Sequence, residues 1–74
     1  MRSSARNRLP GTVQSVKLGG IMAQIDIAVG EHRVTGVITR EAAEELALKE
    51  GDSVVAVIKA TEVMVEKSEP TGDS

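Results

Sequence analysis

Ile21-Met22-Ala23-Gln24-Ile25-Asp26-Ile27-Ala28-Val29 sets Ile21, Ala23, Ile25, Ile27 and Val29 on one side of an extended chain and Met22, Gln24, Asp26 and Ala28 on the other. That period of two is the mark of a half-buried β-strand. Upstream, Leu9 to Lys17 alternates less regularly through Val13 and Val16, and Gly19-Gly20 predicts a hairpin joining the two runs. Downstream, Gly30-Glu31 predicts a second turn. His32 to Ile38 then reads as a third strand with Val34, Gly36 and Ile38 on one face, Gly36 marking a bulge or bend.

The period changes at Thr39. Arg40 to Leu48 is rich in helix formers, Ala42, Ala43 and Leu46 share a side, Thr39 is a fitting N-cap, and the Glu residues suit the positive end of the helix dipole. Lys49-Glu50-Gly51-Asp52 ends this helix. Two more strands are predicted, Ser53 to Lys59 and Thr61 to Val65, the first so continuously apolar that cover on both faces is expected. The order predicts an all-β fold, a five-stranded OB-like barrel with one short helix between strands three and four. Residues 1–67 form a single domain on this reading, with 1–8 as an N-terminal arm and 68–74 as a disordered acidic tail.

At 74 residues the chain buries a modest share of its surface, so oligomerisation is the expected supplement. It has no Cys and a single His, which excludes disulfides and thiolate metal sites. The core must be aliphatic, because the 41% hydrophobic fraction contains no aromatic residue. No apolar run approaches the roughly 18–20 residues of a membrane-spanning helix, and Met1-Arg2-Ser3-Ser4 does not lead into a signal-peptide core. A cytoplasmic location is expected.

Catalysis would need a nucleophile with its base, a carboxylate pair in a cleft, or a metal. The chain offers His32 beside a turn and Glu44-Glu45 on the outer side of a short helix, both of which read as solvated surface, so it is not expected to be an enzyme. Nucleic-acid binding on an OB barrel rests on aromatic stacking of about 1–3 kcal/mol per base, and the net charge of −2 supplies no general attraction for phosphates. Only the basic arm, Arg2, Arg6 and Arg8, supports that alternative of a nucleic-acid-binding or ribosome-associated module.

Three short stretches remain: Ser4-Ala5-Arg6-Asn7, Thr39 at the helix cap, and Lys59-Ala60-Thr61. With Gly11, Glu44-Glu45-Leu46-Ala47-Leu48-Lys49-Glu50-Gly51 and Lys59-Ala60-Thr61-Glu62-Val63-Met64, they resemble the molbindins, the small molybdate/tungstate-binding family of the TOBE type. The similarity runs from about Ser4 to Met64. It implies a homo-oligomer, a hexamer built as a trimer of dimers, that stores or buffers molybdate or tungstate at subunit interfaces. It further implies an oxyanion site in which Ser4, Ala5 and Arg6 of one subunit face Thr39, Lys59 and Ala60 of another, with a second site around Gly19, Gly20 and Ile21. No catalytic cofactor and no protein-ligated metal cation is expected. Family members often carry a hydroxyl residue where this chain has Ala42 and Ala60, which leaves backbone N–H groups there.

The residue types suit the ion. Molybdate is a dianion with four acceptor oxygens and no donor, so its site calls for donors alone. At about 4 Å and an effective dielectric near 20 one cation attracts a dianion by roughly 8 kcal/mol gross, most of it opposed by desolvation. Arg6 and Lys59 are therefore the expected charge carriers. The helix start is expected to add N–H donors, with Glu41 opposing.

Overall fold

The alternation around Ile25 folds as predicted, and the strand that organises the molecule is the one before it. In the computed structural model, which describes residues 5–68, the elements run β1 (Asn7–Leu18), β2 (Met22–Val29), β3 (His32–Thr39), α1 (Arg40–Glu45), β4 (Ser53–Ile58) and a 3-10 turn (Ala60–Glu62). One antiparallel sheet has the order β3-β2-β1-β4. β1 is 12 residues long and serves two partners, pairing through Asn7 to Thr12 with β4 and through Thr12 to Leu18 with β2.

Two local features let β1 do this. Its register slips between Val13 and Ser15, where Ile27 and Asp26 are consecutive partners, so Gln14 is a bulge that sharpens the twist. The irregular spacing of Val13 and Val16 now has a cause, since the extra residue turns both toward the core. At Gly11 a Cβ would collide with the Ala28 carbonyl oxygen and lie 2.8 Å from an Ile27 methyl, so β2 approaches β1 closely only because the side chain is absent. The bulge predicted at Gly36 is not found: β2 and β3 pair in unbroken register from Met22↔Thr39 to Val29↔His32. Gly30 instead has φ 59°, which suits the first loop position of the tight β2–β3 hairpin.

The core is small and aliphatic, Val13, Ala23, Ile25 and Ala43, flanked by Val16, Ile27, Ile38, Leu48 and Val54. α1 contributes Ala43 to it, whereas Leu46, expected on the same side, is exposed. The helix is shorter than the Arg40 to Leu48 segment predicted. It closes in a Schellman arrangement, Leu48 N–H donating to the Ala43 carbonyl at 3.2 Å and Ala47 N–H to the Glu44 carbonyl at 3.0 Å. This puts Ala47 at φ 52°, left-handed without glycine.

Two further expectations are corrected. β4 is an edge strand covered on one face: Ala56 is buried, Val54 and Ile58 are half-buried, and Val55 and Val57 are exposed. The predicted fifth strand is absent, leaving a four-stranded sheet where five strands were expected. After Ile58 the chain makes its 3-10 turn, and Val63-Met64-Val65 continue outside the sheet, Met64 being 94% and Val65 92% exposed. A closing strand would have to lie between the free edges of β3 and β4. Between those strands is an open cavity of about 420 Å³, its walls formed by residues such as Ile27, Val34, Ile38, Val54 and Ile58. The arm is also shorter than expected, because Asn7 and Arg8 already belong to β1. Ser4 and the acidic residues 69–74 lie outside the described residues.

On the opposite face of β2 one carboxylate is buried. Asp26, 7% exposed, accepts hydrogen bonds from Ser15 Oγ and Thr35 Oγ1, both at 2.8 Å, tying three strands in one row. These bonds, Ser15 first and Thr35 second, with the nearby Arg33 charge, outweigh desolvation and hold its pKa below the ordinary aspartate value. The folded state therefore prefers the ionised carboxylate. Its stabilisation is complete above the unfolded-state value of about 3.9 and is lost as pH falls through the lower folded-state value.

Three stability measurements check this account. Ala47→Gly is expected to raise unfolding free energy by about 1 kcal/mol in denaturant titration, by relieving the left-handed alanine. Gly11→Ala is expected to lower it by about 1–3 kcal/mol, because backbone must give way. The gap in Tm between the parent protein and Asp26→Asn should be widest near neutral pH and shrink as pH drops below about 4; a gap constant down to pH 2 would show that ionised Asp26 contributes nothing.

Candidate functional site

The β1–β4 ladder delivers the first cluster. Its last pair is Asn7↔Ile58, reinforced by Asn7 Nδ2 donating to the Ile58 carbonyl at 3.2 Å. Antiparallel register extended one step sets Arg6 across from Lys59, and two steps sets Ala5 across from Ala60. Both cations are exposed, and among the described residues neither side chain has a hydrogen-bonding or ion-pair partner. Like charges placed opposite each other across strands repel. Ala60 opens the 3-10 turn, in which Glu62 N–H donates to the Lys59 carbonyl at 2.9 Å, so the turn does not consume the N–H groups of its first residues. Positive charge, unused donors and solvent access thus coincide at this end of the sheet.

Thr39 is elsewhere. It pairs with Met22 beside the far end of β1, and a strand of this length spans about 35–40 Å. Within one chain the register therefore separates Thr39 from Arg6, Lys59 and Ala60. A pocket holding all of them requires more than one copy. What lies beside Thr39 is the Gly19-Gly20-Ile21 loop, bound to the start of α1 by Arg40. The Arg40 backbone N–H donates to the Ile21 carbonyl at 2.7 Å and its Nη1 donates to the Gly19 carbonyl at 3.0 Å. Its Nε pairs with Glu44 at 3.0 Å.

The helix start is largely satisfied from within. Thr39 Oγ1 accepts from the Ala42 N–H at 3.1 Å and Arg40 N–H is spent on Ile21, so Thr39 has a hydroxyl hydrogen to offer and α1 few free donors. In the loop the carbonyls of Gly19 and Ile21 are engaged by Arg40, and Gly19 N–H donates to the Met22 carbonyl at 2.8 Å. Among the described residues the N–H groups of Gly20 and Ile21 have no such partner.

Sequence reasoning missed Arg40, which it took only as part of a run of helix formers. The missed signal is tertiary, since Arg40 acts on residues 19 to 21 positions earlier in the chain. His32 and the Glu44-Glu45 pair are exposed, as expected. No group of three or more His, Cys, Asp or Glu able to hold a metal ion occurs among the described residues, and no described helix is long and apolar enough to cross a membrane.

The chain is similar to known proteins over most of its length. The TOBE domain family model matches residues 3–65. Molybdenum-pterin-binding protein 1 of Clostridium pasteurianum is 42% identical over 66 residues, 88% of this chain and 97% of that protein. Among solved structures, a molybdate-binding protein from Sporomusa ovata superposes with a TM-score of 0.87 at 37% identity, covering 90% of this chain and all of that one. The cytoplasmic molybdate-binding protein ModG, with molybdate bound, gives a TM-score of 0.76 at 44% identity over 81% of this chain and 43% of that chain. These likenesses identify the four-stranded sheet with its short helix as an OB-like fold.

Proposed function

The chain belongs to the TOBE domain family, and from that premise we propose that it reversibly binds molybdate or tungstate, catalyses no reaction, and serves as a cytoplasmic store or buffer of the oxyanion. The observation that carries this reading is the pair Arg6 and Lys59, unpartnered among the described residues and drawn together by the β1–β4 register. Their mutual repulsion is relieved by a dianion, which each attracts, while Ala5 and Ala60 contribute main-chain donors and Ser4 a hydroxyl. The relatives' names, which specify molybdate or molybdenum-pterin, support this ligand over other tetrahedral anions.

The binding unit is a homo-oligomer, with a hexamer as the assembly inferred from family likeness. Two features of the chain support self-association. The Thr39 hydroxyl and the Arg6–Lys59 pair are at opposite ends of the sheet, so one pocket takes them from different copies. The apolar tail Val63-Met64-Val65 stands exposed while the gap between β3 and β4 lacks a strand, and the tail of a second copy supplies an element of matching chemistry. The Gly20 and Ile21 N–H groups form a second anion site in the Gly19-Gly20-Ile21 loop. With an exposed basic pair but no aromatic residue anywhere, the nucleic-acid alternative lacks its stacking contribution.

Two measurements test the proposal. Arg6→Ala and Lys59→Ala should each weaken molybdate binding by at least tenfold in titration calorimetry, about 1.4 kcal/mol, with the circular dichroism of the fold unchanged. Parental affinity in both variants would eliminate this site. Native mass spectrometry should show an oligomer that gains molybdate mass, and Met64→Lys with Val65→Lys should shift it toward smaller species. A parent chain that stays monomeric and gains no mass would end the proposal.

A further inference from the structure

In the Gly19–Ile21 loop a charged side chain, Arg40, holds backbone in a shape that leaves main-chain donors without partners among the described residues. We infer that Arg40 is the positioning residue for anion binding by this loop. The inference rests on the proposed oxyanion function and adds to it a residue that neither the sequence motifs nor the first cluster contains.

Gly19-Gly20 is the most permissive dipeptide in the chain, and neither residue is held in the left-handed region, so sequence alone does not select the loop's shape. Four hydrogen bonds around it do. Gly19 N–H closes on the Met22 carbonyl, Arg40 N–H takes the Ile21 carbonyl, Arg40 Nη1 takes the Gly19 carbonyl, and Arg40 Nε is held by Glu44. In a trans peptide the carbonyl and the following N–H point in opposite directions, so Arg40's hold on the Gly19 carbonyl turns the Gly20 N–H away from Arg40, and with the Ile21 N–H, which has no partner among the described residues, it leaves two consecutive main-chain donors for an anion. A carbonyl free to swing outward would present the wrong polarity to a molecule that only accepts hydrogen bonds.

Arg40 acts here through geometry more than charge. Its guanidinium is a planar fork that reaches the Gly19 carbonyl with one nitrogen while another is fixed by Glu44. The adjacent Glu44 carboxylate offsets much of its charge. Lysine at this position retains the charge and loses the fork. Thr39 and Arg40 are consecutive, so the same residue that shapes the loop also joins it to the Thr39 hydroxyl.

Amide-resolved NMR titration of the full chain with sodium molybdate separates the possibilities. In the parent protein the Gly20 and Ile21 amides should shift, as should those of Arg6 and Ala60. In Arg40→Leu and in Arg40→Lys the Arg6 and Ala60 amides should titrate at the parental concentration, while Gly20 and Ile21 should need at least fivefold more molybdate. Parental behaviour of Gly20 and Ile21 in both variants would overturn the role of Arg40, and parental behaviour in Arg40→Lys alone would show that charge suffices and refute the fork. Shifts confined to Arg6 and Ala60 in the parent would remove the loop as a site and this inference with it. A parent protein in which no amide responds would instead refute the proposed function itself. Should Arg40→Leu fail to fold, Arg40→Lys alone decides.

Discussion

Everything in this molecule is hung on the close passage of β1 past β2 at Gly11, followed within three residues by the bulge at Gln14. A regular twelve-residue strand with one partner would make only a two-stranded ribbon. Strong twist at the bulge lets the first half of β1 serve β4 and the second half serve β2, and the sheet curls around Val13, Ala23 and Ile25. The absence of aromatic residues is consistent with this, because a core of four buried side chains, two of them alanine, has no room for a ring. The same strand fixes where the chemistry stands, with Arg6 before its first residue and the Gly19 loop after its last.

Charge is distributed to match. The buried carboxylate, Asp26, is enclosed by Ser15 and Thr35 on the middle of the sheet, where its ionised form is fully hydrogen-bonded. Among the described residues Arg6 and Lys59 have no such compensation. In the proposed function the repulsion between these two exposed cations is what a bound dianion would relieve. At the other end Arg40 is partly neutralised by Glu44 and spends its donors on carbonyls. In the proposed function the two ends would attract an anion by different means, one by net charge and one by oriented main-chain dipoles.

A small sheet with two free edges and exposed Val55, Val57, Met64 and Val65 presents apolar surface that a chain of this size gains by burying. In the proposed assembly this is an asset. Subunit association closes the sheet and, in the same step, gathers donors that one chain keeps at opposite ends. Binding and assembly then share their free energy, since an ion held between copies stabilises the contact that forms its site.

Local pattern determined a good deal of this protein. Period-two alternation, turn glycines and the Thr39 cap located three strands, the helix and the core of β4, because each is dictated by neighbours a few residues away. Arg6 and Lys59 were chosen as charge carriers from side-chain chemistry and family resemblance, and the β1–β4 register extended one step sets them across from each other. The tertiary structure decided the rest. The bulge fell at Gln14 and not at Gly36, because twist is needed where β1 changes partners. Val63 to Val65, though apolar, did not become a strand within the chain, because a strand is made by hydrogen bonds to a partner edge, and the turn after Ile58 carries these residues away from one. Arg40 acquired its role for the same reason: register across the sheet brought it against Gly19 and Ile21, and no pattern along the chain encodes a contact made that far across it.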